Sequence, residues 1–221
     1  MSPTSEPTLQ ATKTGVAASV RTHPVMSVVR TSTLEEAGRQ ARLFRRGGIE
    51  LIEITFSVPD ATDLVRELLA ERGGEGPPWI GMGTVTDADR AGRALAAGAE
   101  FIVSPNVAAG VAELALEAGR YLVLGALSAT EIVTARELGS DLVKVYPLPP
   151  VGGPQYLRTV RQPLADIPML AGGGFEVDEI PAYRAAGACA FGIGTPLLAE
   201  TDEASLARIS RALSLARGEQ P

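Results

Sequence analysis

The feature that most restricts this chain is a repeating alternation. Short runs rich in Val, Ile and Leu are separated by longer Ala/Leu/Glu/Arg segments of helical period. The apolar runs fall at residues 25–30, 49–55, 79–84, 100–103, 121–125, 142–146, 168–171 and 188–193, which predicts eight strands. Helical patterns fill residues 34–46, 61–72, 88–97, 107–118, 129–138, 155–164 and 177–186, and a last one covers 205–217. Gly48, Gly98, Gly119, Gly139 and Gly187 each follow a helical segment and precede an apolar run, the place for a left-handed residue that ends a helix. Eight βα units in 221 residues fit an α/β chain closed into a (β/α)8 TIM barrel. A doubly wound sheet is the competing architecture. It favours fewer strands and a Gly-rich turn after the first, whereas Thr31-Ser32-Thr33-Leu34-Glu35-Glu36 reads as a helix cap.

That length suits one large domain, assigned here to residues 23–221, with residues 1–22 as a lead-in that is either flexible or a short helix across the barrel's amino-terminal end. Aromatic residues are only 5%, so Ala, Val, Leu and Ile must pack the core. A net charge of −6 leaves no basic stripe for a nucleic-acid partner. The single cysteine, Cys189, precludes an intramolecular disulfide and fits a reducing compartment. The single histidine, His23, argues against a His-rich metal site and a Ser-His-Asp triad. Neither a secretory leader nor an apolar run of the ~18 residues that span a bilayer is evident, so the expectation is a cytoplasmic protein with no membrane partner.

In such a barrel the chemistry sits at the carboxyl ends of the strands. Of the 20 basic residues, only Lys13 and Lys144 are lysine. Lys144 interrupts the apolar run Leu142-Val143-Lys144-Val145-Tyr146. Burying an ammonium is costly, and desolvation favours the neutral amine, a nucleophile that a guanidinium cannot replace. Lys144 is therefore either a Schiff-base lysine or a cation snorkelling from a strand end. Glu53 is flanked by Ile52 and Ile54, and alternation puts Leu51, Glu53 and Thr55 on one face. An inward carboxylate needs a proton-transfer role or a cationic partner, and Lys144 could be that partner.

Three glycine-bearing windows add to the picture. Gly81-Met82-Gly83-Thr84 ends the third strand, Gly172-Gly173-Gly174 follows the seventh, and Gly192-Ile193-Gly194-Thr195 follows the eighth and is expected to open the last helix. Barrels often hold phosphate in the loops after strands seven and eight. Backbone N–H groups at glycine approach an anion closely, although glycines also simply make tight βα turns.

Taken in order, Ile52-Glu53-Ile54-Thr55-Phe56, Gly81-Met82-Gly83-Thr84-Val85, Val103-Ser104-Pro105-Asn106, Leu142-Val143-Lys144-Val145-Tyr146-Pro147 and Gly172-Gly173-Gly174 resemble the motifs of the KDPG/KHG aldolases. These cleave 2-keto-3-deoxy-6-phosphogluconate or 4-hydroxy-2-oxoglutarate. The resemblance covers about residues 25–198 and includes Gly153-Pro154-Gln155-Tyr156 after the lysine strand. It implies a class I aldolase, a homotrimer of TIM barrels acting on a small keto acid without metal or other cofactor. By position, Lys144 matches the Schiff-base lysine and Glu53 the general acid/base. Thr84 matches a residue holding the pyruvate carboxylate, Pro105 a residue lining that pocket, and Tyr146 an aromatic beside the lysine. Gly173, Gly174, Gly194 and Thr195 match the phosphate-binding positions. The chain departs from the pattern at Ser57, where some members carry an arginine that Arg30 could replace. It also departs at Gly172, where a threonine or valine is common. The latter leaves gluconate-, galactonate- and oxoglutarate-type substrates open. A phosphate-binding epimerase and a non-catalytic sugar-phosphate sensor are the rival readings.

Overall fold

The computed structural model describes residues 6–219. Eight parallel strands close in sequential order, with β8 paired to β1. They are β1 (Val25–Val29), β2 (Leu51–Thr55), β3 (Trp79–Gly83), β4 (Phe101–Val103), β5 (Tyr121–Ala126), β6 (Leu142–Val145), β7 (Met169–Gly172) and β8 (Ala190–Ile193). The helices are α1 (Glu6–Thr22), α2 (Leu34–Arg46), α3 (Ala61–Arg72), α4 (Ala88–Ala96), α5 (Ala109–Glu117), α6 (Ala129–Glu137), α7 (Gly153–Arg161), α8 (Ile180–Ala185) and α9 (Asp202–Arg217). The chain is thus a (β/α)8 barrel, and the doubly wound alternative is ruled out by its closure. The five glycines expected to end helices all have positive φ, from 61° at Gly119 to 101° at Gly187.

Alternation along the strands separates two cores. Ile52, Ile54, Ile80, Ile102, Leu122, Leu124 and Val143 face outward into the layer shared with the helices. Met26, Leu51, Trp79, Phe101, Val103, Tyr121, Val123, Leu142 and Leu170 fill the barrel interior. Each such side chain contributes about 1.5–3 kcal/mol on leaving water. Val16 and Val20 of α1 join the inner cluster, so this helix stops the amino-terminal end of the barrel. Gly15 permits that contact: a Cβ there would lie 2.3 Å from the Trp79 ring. The Trp79 indole N–H donates to Ser19 Oγ at 3.0 Å, and Ser19 in turn donates to Glu50.

Among the helix starts that differ from expectation, two follow β7 and β8. Residues 177–186 form a single turn of 3-10 helix and then α8, because Pro181 lacks the N–H that a continuous helix would need. Gly194 and Thr195 open only a 3-10 turn, Thr195–Leu197. The last helix instead begins at Asp202, where the Thr201 hydroxyl accepts the Ala204 N–H as an N-cap.

Candidate active site

At the carboxyl ends of the strands the interior positions turn from bulky to charged or small. Glu53 points inward from β2, with Val28 and Gly81 as its register neighbours. Lys144 points inward from β6, between Gly125 and Leu170. Lys144 Nζ and Glu53 Oε2 are 3.7 Å apart, within ion-pairing range but too long for a hydrogen bond. Glu53 is 1% exposed, and its Oε2 has no hydrogen-bond partner among the described residues. A fully buried carboxylate oxygen left without a donor is costly as a structural feature, and it is available to a proton or a water.

Glycines make the room for these two groups. A Cβ on Gly83 would sit 1.9 Å from Glu53 Oε1, so any side chain there would displace the carboxylate. A Cβ on Gly172 would come within 3.2 Å of Lys144 Cε, and one on Gly125 within 2.2 Å of the Pro105 carbonyl oxygen. Gly172 therefore stands beside the lysine stem, and Pro105 is packed over the strand next to it.

Beside this pair lies a cavity of about 620 Å³, a size suited to a small metabolite. Lys144, Arg30, Tyr146, Gly173, Gly174, Gly194 and Thr195 all reach its wall. Glu53, Thr84, Ser57, Pro105 and Gly172 do not, but Glu53 faces the lining Lys144, and Thr84 and Ser57 are tied to the wall through Arg30. The Arg30 guanidinium donates through Nη1 to Ser57 Oγ at 3.0 Å and through Nη2 to Thr84 Oγ1 at 3.2 Å. Ser57 Oγ is further linked to Thr55 Oγ1 at 2.7 Å. The cation absent at position 57 is thus brought to Ser57 from the first strand. Thr84 holds its hydroxyl there at φ 58°, a left-handed conformation that costs a β-branched residue of order 1–3 kcal/mol. The Tyr146 ring centroid is 5.5 Å from Lys144 Nζ, a cation–π contact on the solvent side.

Val28, Gly192, Glu176, Pro196, Leu198 and Arg208 complete the wall together with Pro147. The sequence alone does not mark Glu176 or Arg208. Both lie on exposed segments among other charged residues, and no local pattern separates them from a solvated face. Among the described residues, no cluster of three or more His, Cys, Asp or Glu is arranged to hold a metal ion.

A closed parallel barrel whose charged side chains and cavity gather at the carboxyl ends of its strands belongs to the barrel enzymes. Residues 16–212 match the family model described as "KDPG and KHG aldolase", and the chain belongs to that family. It is accordingly an aldolase, a carbon–carbon lyase. The 2-dehydro-3-deoxy-phosphogluconate aldolase of Treponema pallidum (strain Nichols) is 32% identical over 161 residues, covering 73% of this chain and 75% of that one. The 2-dehydro-3-deoxy-6-phosphogalactonate aldolase of Escherichia coli (strain K12) is 27% identical over 175 residues, covering 79% and 84%. In fold, the solved 2-keto-3-deoxy-6-phosphogluconate aldolase of Zymomonas mobilis ZM4 superposes with a TM-score of 0.80 at 23% identity, covering 92% of this chain and 97% of that one.

Proposed function

We propose that this aldolase works by Schiff-base chemistry and cleaves a 2-keto-3-deoxy sugar acid, phosphorylated at its far end, to pyruvate and an aldehyde. The neutral Lys144 amine attacks C2 of the keto acid, and loss of water from the carbinolamine gives a protonated imine. The C3–C4 bond then breaks as the C4 hydroxyl loses its proton. The electron pair moves into the imine to give the enamine of pyruvate, and the aldehyde leaves. Protonation at C3 and hydrolysis of the imine release pyruvate and restore the amine. The imine is the electron sink at the step that breaks the bond.

The observation that carries this reading is the Glu53 carboxylate, buried, unbonded at Oε2 and 3.7 Å from the only lysine on the barrel strands. A plain structural ion pair favours a closer contact and additional donors. A proton shuttle needs the free oxygen. Arg30 and Thr84 fit the substrate carboxylate. Gly173, Gly174, Gly194 and Thr195 fit the distal phosphate. Tyr146 covers the imine, while Pro105, Ser57 and Gly172 shape its surroundings. Gluconate- and galactonate-type phosphorylated acids and 4-hydroxy-2-oxoglutarate all meet the chemistry of the lysine end. The phosphate loops favour the first two. A homotrimer and a cytoplasmic location belong to the same proposal, resting on the family resemblance and the single free cysteine.

Borohydride reduction in the presence of pyruvate, followed by peptide mass mapping, is the direct test. A reduced pyruvate adduct on Lys144 is expected. Folded protein with no adduct would remove the Schiff-base mechanism.

A further inference from the structure

We propose that Arg208 on α9 is a specificity-determining residue that supplies the positive charge for the terminal phosphate of the substrate. This rests on the reading of the site as one for a phosphorylated keto acid and adds a residue that no sequence motif marks. α9 buries Ser205, Ile209, Ala212 and Ala216 against the barrel, which leaves Arg208 on its flank toward the cavity. Three cations line that cavity: Arg30, Lys144 and Arg208. Arg30 is engaged by Ser57 and Thr84, and Lys144 faces Glu53. Arg208 has no carboxylate partner among the described residues. It donates through Nη1 to the Leu198 carbonyl, which anchors the guanidinium and leaves most of its N–H groups free.

Arg211, one turn further along α9, behaves differently: its Nε is held by Asp178 at 2.7 Å. Gly173 and Gly174, on the same wall as Arg208, have φ of 127° and 81°. Successive backbone amides in such conformations can form an anion-binding concavity. Neutral amides alone leave a phosphate dianion uncompensated, whereas a guanidinium pairs with phosphate through two parallel N–H···O bonds. Glu176 shares the wall: its backbone N–H donates to the Glu179 carboxylate at 2.7 Å, and among the described residues no ion pair joins its own carboxylate to Arg208.

Calorimetric titration of the full chain with glycerol 3-phosphate, and with glycerol as the uncharged counterpart, tests the assignment. In R208Q the glycerol 3-phosphate Kd should rise ten-fold or more. R208K should recover part of the loss, and R211Q should bind like the parent. In turnover, R208Q should lose kcat/KM for a phosphorylated keto acid through KM, which lowers its preference over the unphosphorylated analogue. A parent that fails to bind glycerol 3-phosphate, or an R208Q that binds it as tightly as the parent, overturns the proposal. Trapping of pyruvate on Lys144 is scored separately. Phosphate binding through Arg208 without an adduct keeps this site and removes the Schiff-base reading, and the converse result does the opposite.

Discussion

At the amino-terminal end of the barrel, α1 packs Val16 and Val20 onto Trp79, Phe101, Tyr121 and Leu142, and several charged groups around the rim are paired, although the Arg120 Nε is buried without a partner among the described residues. Arg72 meets Glu100 at 2.7 Å, Lys13 meets Asp141 at 2.9 Å, and His23 contacts Glu50 at 3.0 Å. At the carboxyl end the same barrel carries a carboxylate oxygen with no donor, a threonine at positive φ, and glycines where packing would favour larger side chains. One end is built for burial, and the other accepts local instability to leave room for a ligand. Stability at the mouth comes instead from helix starts that fall there. Thr33, Asp87, Ser128 and Thr201 each accept a backbone N–H from the first turn of the helix they precede.

The sharpest way to break this contrast is at Lys144. Lys144→Arg should abolish pyruvate trapping and lower kcat by 10⁴-fold or more, because guanidinium stays protonated and cannot form the imine. Its thermal unfolding temperature should stay close to that of the parent. A large fall in stability would make Lys144 a structural cation. At the opposite end, Trp79→Ala should cost about 3–5 kcal/mol in denaturant unfolding and leave kcat/KM intact below the transition. A selective loss of activity there would show that the two ends are coupled.

Thr84→Gly should weaken the binding of pyruvate to the unreduced protein about ten-fold, through loss of a hydroxyl bonded to Arg30. Stability should hold or rise by about 1 kcal/mol, since relief of about 1–3 kcal/mol of left-handed strain offsets about 1 kcal/mol of added chain entropy. The smallest effect is expected at the α6 cap. Hydrogen bonds from the Ser128 and Leu127 N–H groups hold the Glu131 carboxyl below its ordinary value of 4.5. Its contribution is therefore present above that value and lost as pH falls through the lower folded one. Ser128→Ala should cost about 1 kcal/mol near neutrality, and Glu131→Gln, which removes the titrating group, should flatten that part of the acid-unfolding curve.

Most of the barrel was legible in sequence because its signals are local. Strand alternation, helical period and glycine stops each depend on a few neighbouring residues, and the predicted bounds of α2 and α3 coincide with those observed. Lys144 and Glu53 stood out for a related reason, as charges inside apolar runs are anomalies within a short window. α1 was harder to read, because its Thr- and Ser-bearing sequence gives only a weak apolar stripe and its order depends on Trp79, Ser19 and the barrel floor.

The amino-acid order by itself determined the eight-fold βα repeat, the shared face of Leu51, Glu53 and Thr55, and the two charged residues set inside apolar runs. Only the closed barrel decided that those residues, 91 positions apart, lie 3.7 Å from each other. It also decided that Gly83 leaves room for Glu53, that Arg30 reaches Ser57 and Thr84, and that Arg208 shares a cavity wall with Gly173, Gly174 and Gly194. Periodicity is a property of adjacent residues, whereas these contacts arise when sheet closure brings distant strands around one axis, which no local pattern encodes.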